Sequence, residues 1–258
     1  MTVTRSIQGK QQLTPLEAEH RPAVIQARLA AMRSHNYLGD AVLGGIDGCV
    51  TTFAVVAGAV GGGFPAVVAI VLGFANLLAD GFSMALSNYQ GTKSQREFVE
   101  EARRTEERHI EKIPEGEREE IRQIFAGKGF TGETLEEIVD VITQDRRLWV
   151  DTMLAEELGL QVDGPSPLRA GLATFVAFFV VGLIPLLPFF IPGLTPDQTF
   201  ASSAAMTGLA FGGIGIAKGI VLGRSPLRSG VETLFIGGMA ALLAYLVGAW
   251  LRQIFGVA

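Results

Sequence analysis

Apolar residues in this chain fall in long blocks rather than in alternation. Five runs, 39–60, 65–89, 168–191, 199–222 and 231–251, are nearly free of charge and each holds at least 21 residues. About 20 helical residues cross the roughly 30 Å hydrocarbon core of a bilayer. The pattern therefore predicts an all-α integral membrane protein with five transmembrane helices per chain. Gly61-Gly62-Gly63-Phe64 leaves room only for a tight connection between the first two, and Pro192 to Gln198 join the third and fourth. Pro185 and Pro188 are expected to kink the third. The chain divides into an N-terminal segment (1–38), helices 1 and 2 (39–89), a hydrophilic insert (90–166) and helices 3 to 5 (167–258).

The insert reads as helical. One helix continues the second span from Tyr89 to about Lys112. Pro114 suits the first turn of another, which Gly127 could end. Glu133–Thr143 and Asp145–Leu158 read as two more, stopped by Gly159 and by Asp163-Gly164-Pro165. Residues 16–33 place Leu16, Val24, Ile25, Leu29 and Met32 among Arg21, Arg28 and Arg33. This reads either as an amphipathic helix on the inner membrane surface or as a solvated helix packed on the insert.

Charge sets the orientation. Of the 21 Lys and Arg, five precede the first run, twelve lie from Lys93 to Arg169, and Lys218, Arg224 and Arg228 flank the fourth-to-fifth connection; only Arg252 lies elsewhere. Five alternating spans bring the first three groups to one side, which the positive-inside rule makes cytoplasmic. The N-terminus and insert are then inside and the C-terminal tail outside. The insert is nevertheless acidic, with 19 Asp and Glu against 11 Lys and Arg between Lys93 and Asp163.

Composition narrows the class. Hydrophobic residues make up 48% and charged residues 18%, below the roughly 25% charge of a soluble domain, and mean hydropathy is +0.36. A net charge of −5 gives no footing for nucleic acid. The single Cys49 allows no disulfide within one chain, and the polar start lacks the apolar core of a signal peptide. Gly44-x-x-x-Gly48, Gly208-x-x-x-Gly212 and Gly215-x-x-x-Gly219-x-x-x-Gly223 read as packing faces between helices.

Asp40, Asp47 and Asp80 lie within or at the edge of the first two runs. An Asp at a helix centre costs about 2.5–3.5 kcal/mol on insertion scales, and such residues usually face a bundle interior on an ion or proton path. Asp40 reads either as a cap of the first helix or as part of this stripe, sharing a face with Asp47. At 1.5 Å per residue, Asp47 and Asp80 each lie about 12 Å from the same membrane face. Met84 follows Asp80 by four residues, on one helix face. A carboxylate beside a thioether suits Fe²⁺, Co²⁺ or Zn²⁺; packing is the alternative for Met84. Lys218 and Glu232, near inner helix ends, read as snorkelling or paired surface groups.

The insert offers a second constellation. Glu106 and His109, Glu117 and Glu120, and Met153 and Glu157 each share a helix face, so three helices could gather six metal ligands. Solvated acids paired with interleaved Arg are the alternative.

The motifs Leu43-Gly44-Gly45-Ile46-Asp47-Gly48 and Asn76-Leu77-Leu78-Ala79-Asp80-Gly81-Phe82-Ser83-Met84 resemble the vacuolar iron transporter family, from about residue 38 to 255. The resemblance implies a homodimer whose first helices line a pore on the two-fold axis, with the ion handled by an Asp and a Met, here Asp47 and Met84, and protons moving the other way. It also implies a cytoplasmic insert that gathers metal. The family's paired Glu pattern here reads Glu106-x-x-His109 and Glu117-x-x-Glu120, and its Met-Met-x-x-Glu reads Met153-Leu154-x-x-Glu157. His109 and Leu154 depart from it. Histidine keeps affinity for Fe²⁺, Mn²⁺ and Zn²⁺ but makes the site less anionic and more pH-sensitive.

The expectation is a proton-coupled antiporter, not an enzyme, that exports a divalent transition metal. Fe²⁺ is foremost, with Mn²⁺, Co²⁺ and Zn²⁺ as further substrates, H⁺ as counter-ion and no prosthetic cofactor. No G-x-x-x-x-G-K-[ST] phosphate loop occurs, in keeping with gradient-driven transport. A membrane-tethered, ferritin-like ferroxidase is the rival from the enzyme class, but it needs a second Glu-x-x-His, which the insert lacks. A metal-binding sensor or scaffold is a third reading, against which the acids inside the spans argue. Short tails lean toward a bacterial plasma membrane over a vacuolar one.

Overall fold

A computed structural model describes residues 16, 19–32, 35–221 and 223–256. Arg5, Lys10 and Arg33 lie outside them. A short helix, α1 (Pro22–Met32), belongs to a unit of its own ending at Asn36. Val24 and Leu29 on it are exposed.

The second unit begins at Tyr37. Helices α2 (Leu38–Gly61) and α3 (Ala66–Lys112) are followed by α4 (Pro114–Gly127), α5 (Gly132–Gln144) and α6 (Arg146–Glu156). Then come α7 (Pro167–Gly182), a 3₁₀ segment (Ile184–Phe190), α8 (Pro196–Val221) and α9 (Pro226–Phe255). Five of these are long and apolar enough to cross a membrane: α2, α3, α7 with its 3₁₀ extension, α8 and α9. The chain is an integral membrane protein. Gly63, with φ 74°, makes the turn between α2 and α3, a conformation open to glycine at little cost.

The expected kink in the third span is a change of helix type. In a 3₁₀ turn the Pro185 carbonyl would accept from residue 188, and proline has no N–H to give. The fully buried Ser203 of α8 supplies the missing donor, its Oγ donating to the Pro185 oxygen at 2.7 Å. A buried carbonyl left bare inside a membrane bundle would cost several kcal/mol.

Gly44-x-x-x-Gly48 is the face on which α2 meets α7. A Cβ on Gly44 would stand 2.2 Å from the Thr174 carbonyl oxygen, and one on Gly48 2.3 Å from that of Phe178. The backbones touch, as small-residue packing in lipid requires. Gly215 and Gly219 meet α9 in the same way, at Ser229 and Pro226, but a Cβ on Gly212 would meet nothing within 4 Å. That part of the expected packing face is open. Gly48→Ala is expected to push the helices apart and lower stability by about 1–3 kcal/mol. The readout is thermal unfolding of detergent-purified protein beside Gly39→Ala, where the added methyl meets nothing within 4 Å. Equal midpoints for the two variants would show that the close crossing is unimportant.

In the membrane bundle, Phe53, Val56, Leu77, Phe178, Leu186 and Ala241 form the apolar core. On α9, Leu234, Phe235, Leu242, Leu246 and Trp250 are exposed.

The insert helices follow the expected boundaries to within a few residues. The largest difference is in α6, which ends two residues earlier, at Glu156, and starts one residue later because Asp145 caps it: Oδ1 accepts from the backbone N–H of Arg147 (2.9 Å) and Leu148 (3.2 Å). α3 runs unbroken from membrane to insert over 47 residues, about 70 Å at 1.5 Å per residue. Its outer half packs with α4, α5 and α6 around Ile110, Ile121, Val139, Val150, Met153 and Leu154. Besides pairs along one helix, such as Arg122 with Glu119, several arginines bridge between helices: Arg103 with Asp151, Arg118 with Asp140, Arg122 with Glu136 and Arg146 with Glu111. Exposed pairs stabilise little, but these fix how the helices face one another.

Candidate functional site

Two groups of polar residues stand out, one inside the membrane bundle and one in the insert. In the bundle, Asp40 and Asp47 lie on α2, and Asp80 and Met84 on α3, all half-buried. The carboxylates of Asp47 and Asp80 are close enough to act electrostatically on each other. No Lys or Arg pairs with any of these acids among the described residues. Around Asp47 runs a short polar chain: Asn76 Nδ2 donates to Thr51 Oγ1 (3.1 Å), which donates to the Asp47 carbonyl oxygen (2.9 Å). Met84 packs against the apolar core of the bundle, so the packing expected of a methionine is present there.

Asp40 does not use its carboxylate as a helix cap. Its Oδ1 accepts from Asn88 Nδ2 at 2.8 Å, and Asn88 Nδ2 also donates to Thr174 Oγ1 at 2.7 Å. Asn88 and Thr174 were not among the expected site residues. A search for charges inside the apolar runs passes over neutral polar residues, although an amide buried without partners is costly as well. The one sequence hint is spacing: Asp80, Met84 and Asn88 succeed one another by four and share a face of α3.

In the insert, Glu106 and His109 come from α3 and Glu117 from α4. One ligand atom from each lies within 4.8 Å of the others. His109 Nδ1 is 3.3 Å from Glu117 Oε1. Glu106 and Glu117 are each only 5% exposed. The other Glu117 oxygen, Oε2, is buried with no hydrogen-bond partner among the described residues. Buried carboxylate oxygens are rarely left so, because the bare acceptor costs about 1–3 kcal/mol or more. Burial, together with the charges of Glu120, Glu106 and Glu157, raises the Glu117 carboxyl from its ordinary range to about 7, and His109 opposes the shift. Glu157 is raised by burial and by Glu120 and Glu106.

Five of the six expected insert ligands thus form one electrostatic group. The sixth, Met153, is fully buried in the insert's apolar core. None of Glu106, Glu117, Glu120 and Glu157 pairs with Lys or Arg among the described residues, whereas Glu111, Glu119, Glu136, Asp140, Asp151 and Glu156 do. Carboxylates with one imidazole suit Fe²⁺, Mn²⁺ or Zn²⁺.

Fold and site together define a class: a polytopic helical membrane protein with acids inside its bundle and a carboxylate–imidazole group in a helical insert. A family model described as the VIT family matches residues 38–249, and the chain belongs to that family, as the two aspartate motifs anticipated. Among curated proteins it is 34% identical over 232 residues to a protein of Toxoplasma gondii named vacuolar iron transporter, covering 86% of this chain and 77% of the relative. It is 32% identical to vacuolar iron transporter 1 of Arabidopsis thaliana, with 80% and 82% covered. To the vacuolar iron transporter of Plasmodium falciparum it is 28% identical, with 82% and 81% covered.

Proposed function

We propose that the protein exports a divalent transition metal from the cytosol, Fe²⁺ foremost, in exchange for protons, as a homodimer with its pore on the two-fold axis. The observation that carries this reading is the grouping of two buried carboxylates, Glu106 and Glu117, with the exposed His109, unpaired with Lys or Arg among the described residues; Glu106 and His109 lie on the same continuous helix that holds Asp80 and Met84 in the bundle. The relatives' names, iron transporters, support it.

The two sites have separate tasks. Met84 and Glu106 are 22 residues apart on α3, about 33 Å along an unbroken helix. The insert therefore does not hand the ion directly to the pore. Its acids raise the local metal concentration on the side where the ion enters. At the bundle, metal binds a carboxylate well only once its proton has left. A site built on Asp47 and Asp80 that holds either ion, and opens to the two sides in turn, exchanges one for the other without ATP.

Reconstituted into liposomes, the protein should take up Fe²⁺ severalfold faster when the lumen is more acidic than the outside, so that protons leave as metal enters, than when both sides are at one pH. Mn²⁺, Co²⁺ and Zn²⁺ assayed alongside give the selectivity order. Uptake at the same rate with and without the gradient would remove the proton from the mechanism.

A further inference from the structure

Asp40 is held by a contact that spans three helices. The Asn88 amide of α3 has two N–H donors and uses both, one on Asp40 Oδ1 of α2 at 2.8 Å and one on Thr174 Oγ1 of α7 at 2.7 Å. The Thr174 hydroxyl has one proton, which it directs to the Ala170 carbonyl at 3.0 Å, with the Asp40 carbonyl at 3.4 Å as a second acceptor. Its lone pair is thus what meets Asn88. This fixes the amide: turned over, it would set its own carbonyl oxygen against a carboxylate. Thr174 is fully buried and sits where α2 and α7 touch, its carbonyl 2.2 Å from where a Gly44 Cβ would be, so it has no room to move. Asp40 Oδ2 makes no hydrogen bond among the described residues.

We infer that Asn88 is a positioning residue for ion entry: backed by Thr174, it occupies one oxygen of Asp40 and leaves the other as a single ligand facing the incoming metal. This rests on the reading of Asp40 as part of the ion path. A conduction site must bind strongly enough to admit an ion and weakly enough to release it. A carboxylate locked to one free oxygen meets that need. One free to turn would chelate with both oxygens or swing away from the path.

The test is Mn²⁺ uptake into proteoliposomes, with initial rates over a range of concentrations for wild type, Asn88→Ala, Asp40→Asn, the double variant, Thr174→Ser and Thr174→Val. Loss of a hydrogen bond to a charged group predicts that Asn88→Ala raises KM about tenfold and leaves the maximal rate within about twofold. Thr174→Ser, which keeps the hydroxyl, should match wild type, and Thr174→Val should raise KM. In the Asp40→Asn background Asn88→Ala should add nothing, because its effect passes through Asp40. An unchanged KM in Asn88→Ala, or effects that simply add in the double variant, would overturn the inference while a raised KM in Asp40→Asn keeps Asp40 on the path. A wild-type KM in Asp40→Asn would overturn both. Should Asn88→Ala not be recovered folded, Thr174→Val against Thr174→Ser decides in its place.

Discussion

Asp47→Ala is expected to reduce metal flux in proteoliposomes by up to about a hundredfold, while the purified protein melts no earlier than wild type. Losing a charge-assisted ligand interaction is worth up to about 3 kcal/mol, which converts to roughly that factor. The stability half follows from what surrounds the residue. Asp47 is half-buried in a membrane helix, no Lys or Arg pairs with it among the described residues, and the Asp80 carboxylate repels it. A charge so placed does nothing for the fold, so its removal relieves the bundle. Asp47→Asn keeps the shape but neither binds metal as an anion nor carries a proton, and should fail equally. Asp47→Glu should retain part of the flux. Wild-type flux in the alanine variant would take Asp47 off the path. A large fall in melting temperature with the flux loss would make its role structural instead.

The membrane part of this arrangement was legible because hydrocarbon is an unforgiving solvent. A run of 21 or more residues with few charges has few alternatives to a spanning helix, and Asp47 and Asp80 announce themselves by the cost of placing them there. The insert's helices were legible from local punctuation: Pro114 opens α4 and Gly127 is its last residue. What stayed hidden depends on which residues meet across long separations. Asn88 reaches Asp40 across 48 positions and Thr174 across 86. No periodicity encodes those distances, and an uncharged asparagine escapes a search keyed to charges inside apolar runs. The arginine bridges of the insert are a similar case: spacing along a helix points to partners three or four residues away, as Glu119 is for Arg122, and says nothing of those that packing adds from another helix, as Glu136 does. The 3₁₀ segment was half visible. Two prolines predicted a disturbance, but its form depends on Ser203, a residue of another helix, being present to satisfy the freed carbonyl.

Glu117→Gln should make the metal-free protein more stable at pH 8 and abolish the stabilisation that Fe²⁺ or Mn²⁺ gives to wild type. The sign follows from the raised carboxyl. With a folded pKa of about 7 against a usual 4.5, the folded chain holds this proton more tightly than the unfolded one. The stability so gained is complete below about pH 4.5 and is lost as pH rises through about 7, leaving a deficit of up to about 3 kcal/mol at pH 8 relative to acid. Glutamine keeps the shape without the ionisation, so the variant escapes the deficit. The same proton governs metal binding, because the ion must displace it: apparent affinity in wild type should fall about tenfold per pH unit below 7. Melting curves of the full chain in detergent, from pH 5 to 8 with and without metal, test both halves. A metal-induced shift of wild-type size in Glu117→Gln would mean that the ion binds elsewhere in the insert. Wild-type stability for the metal-free variant at pH 8 would mean that the unpartnered oxygen is not the strain it is taken to be. If both expectations hold, the buried acid cluster is kept at the expense of the insert's own stability, as expected of a site whose purpose is to bind a cation.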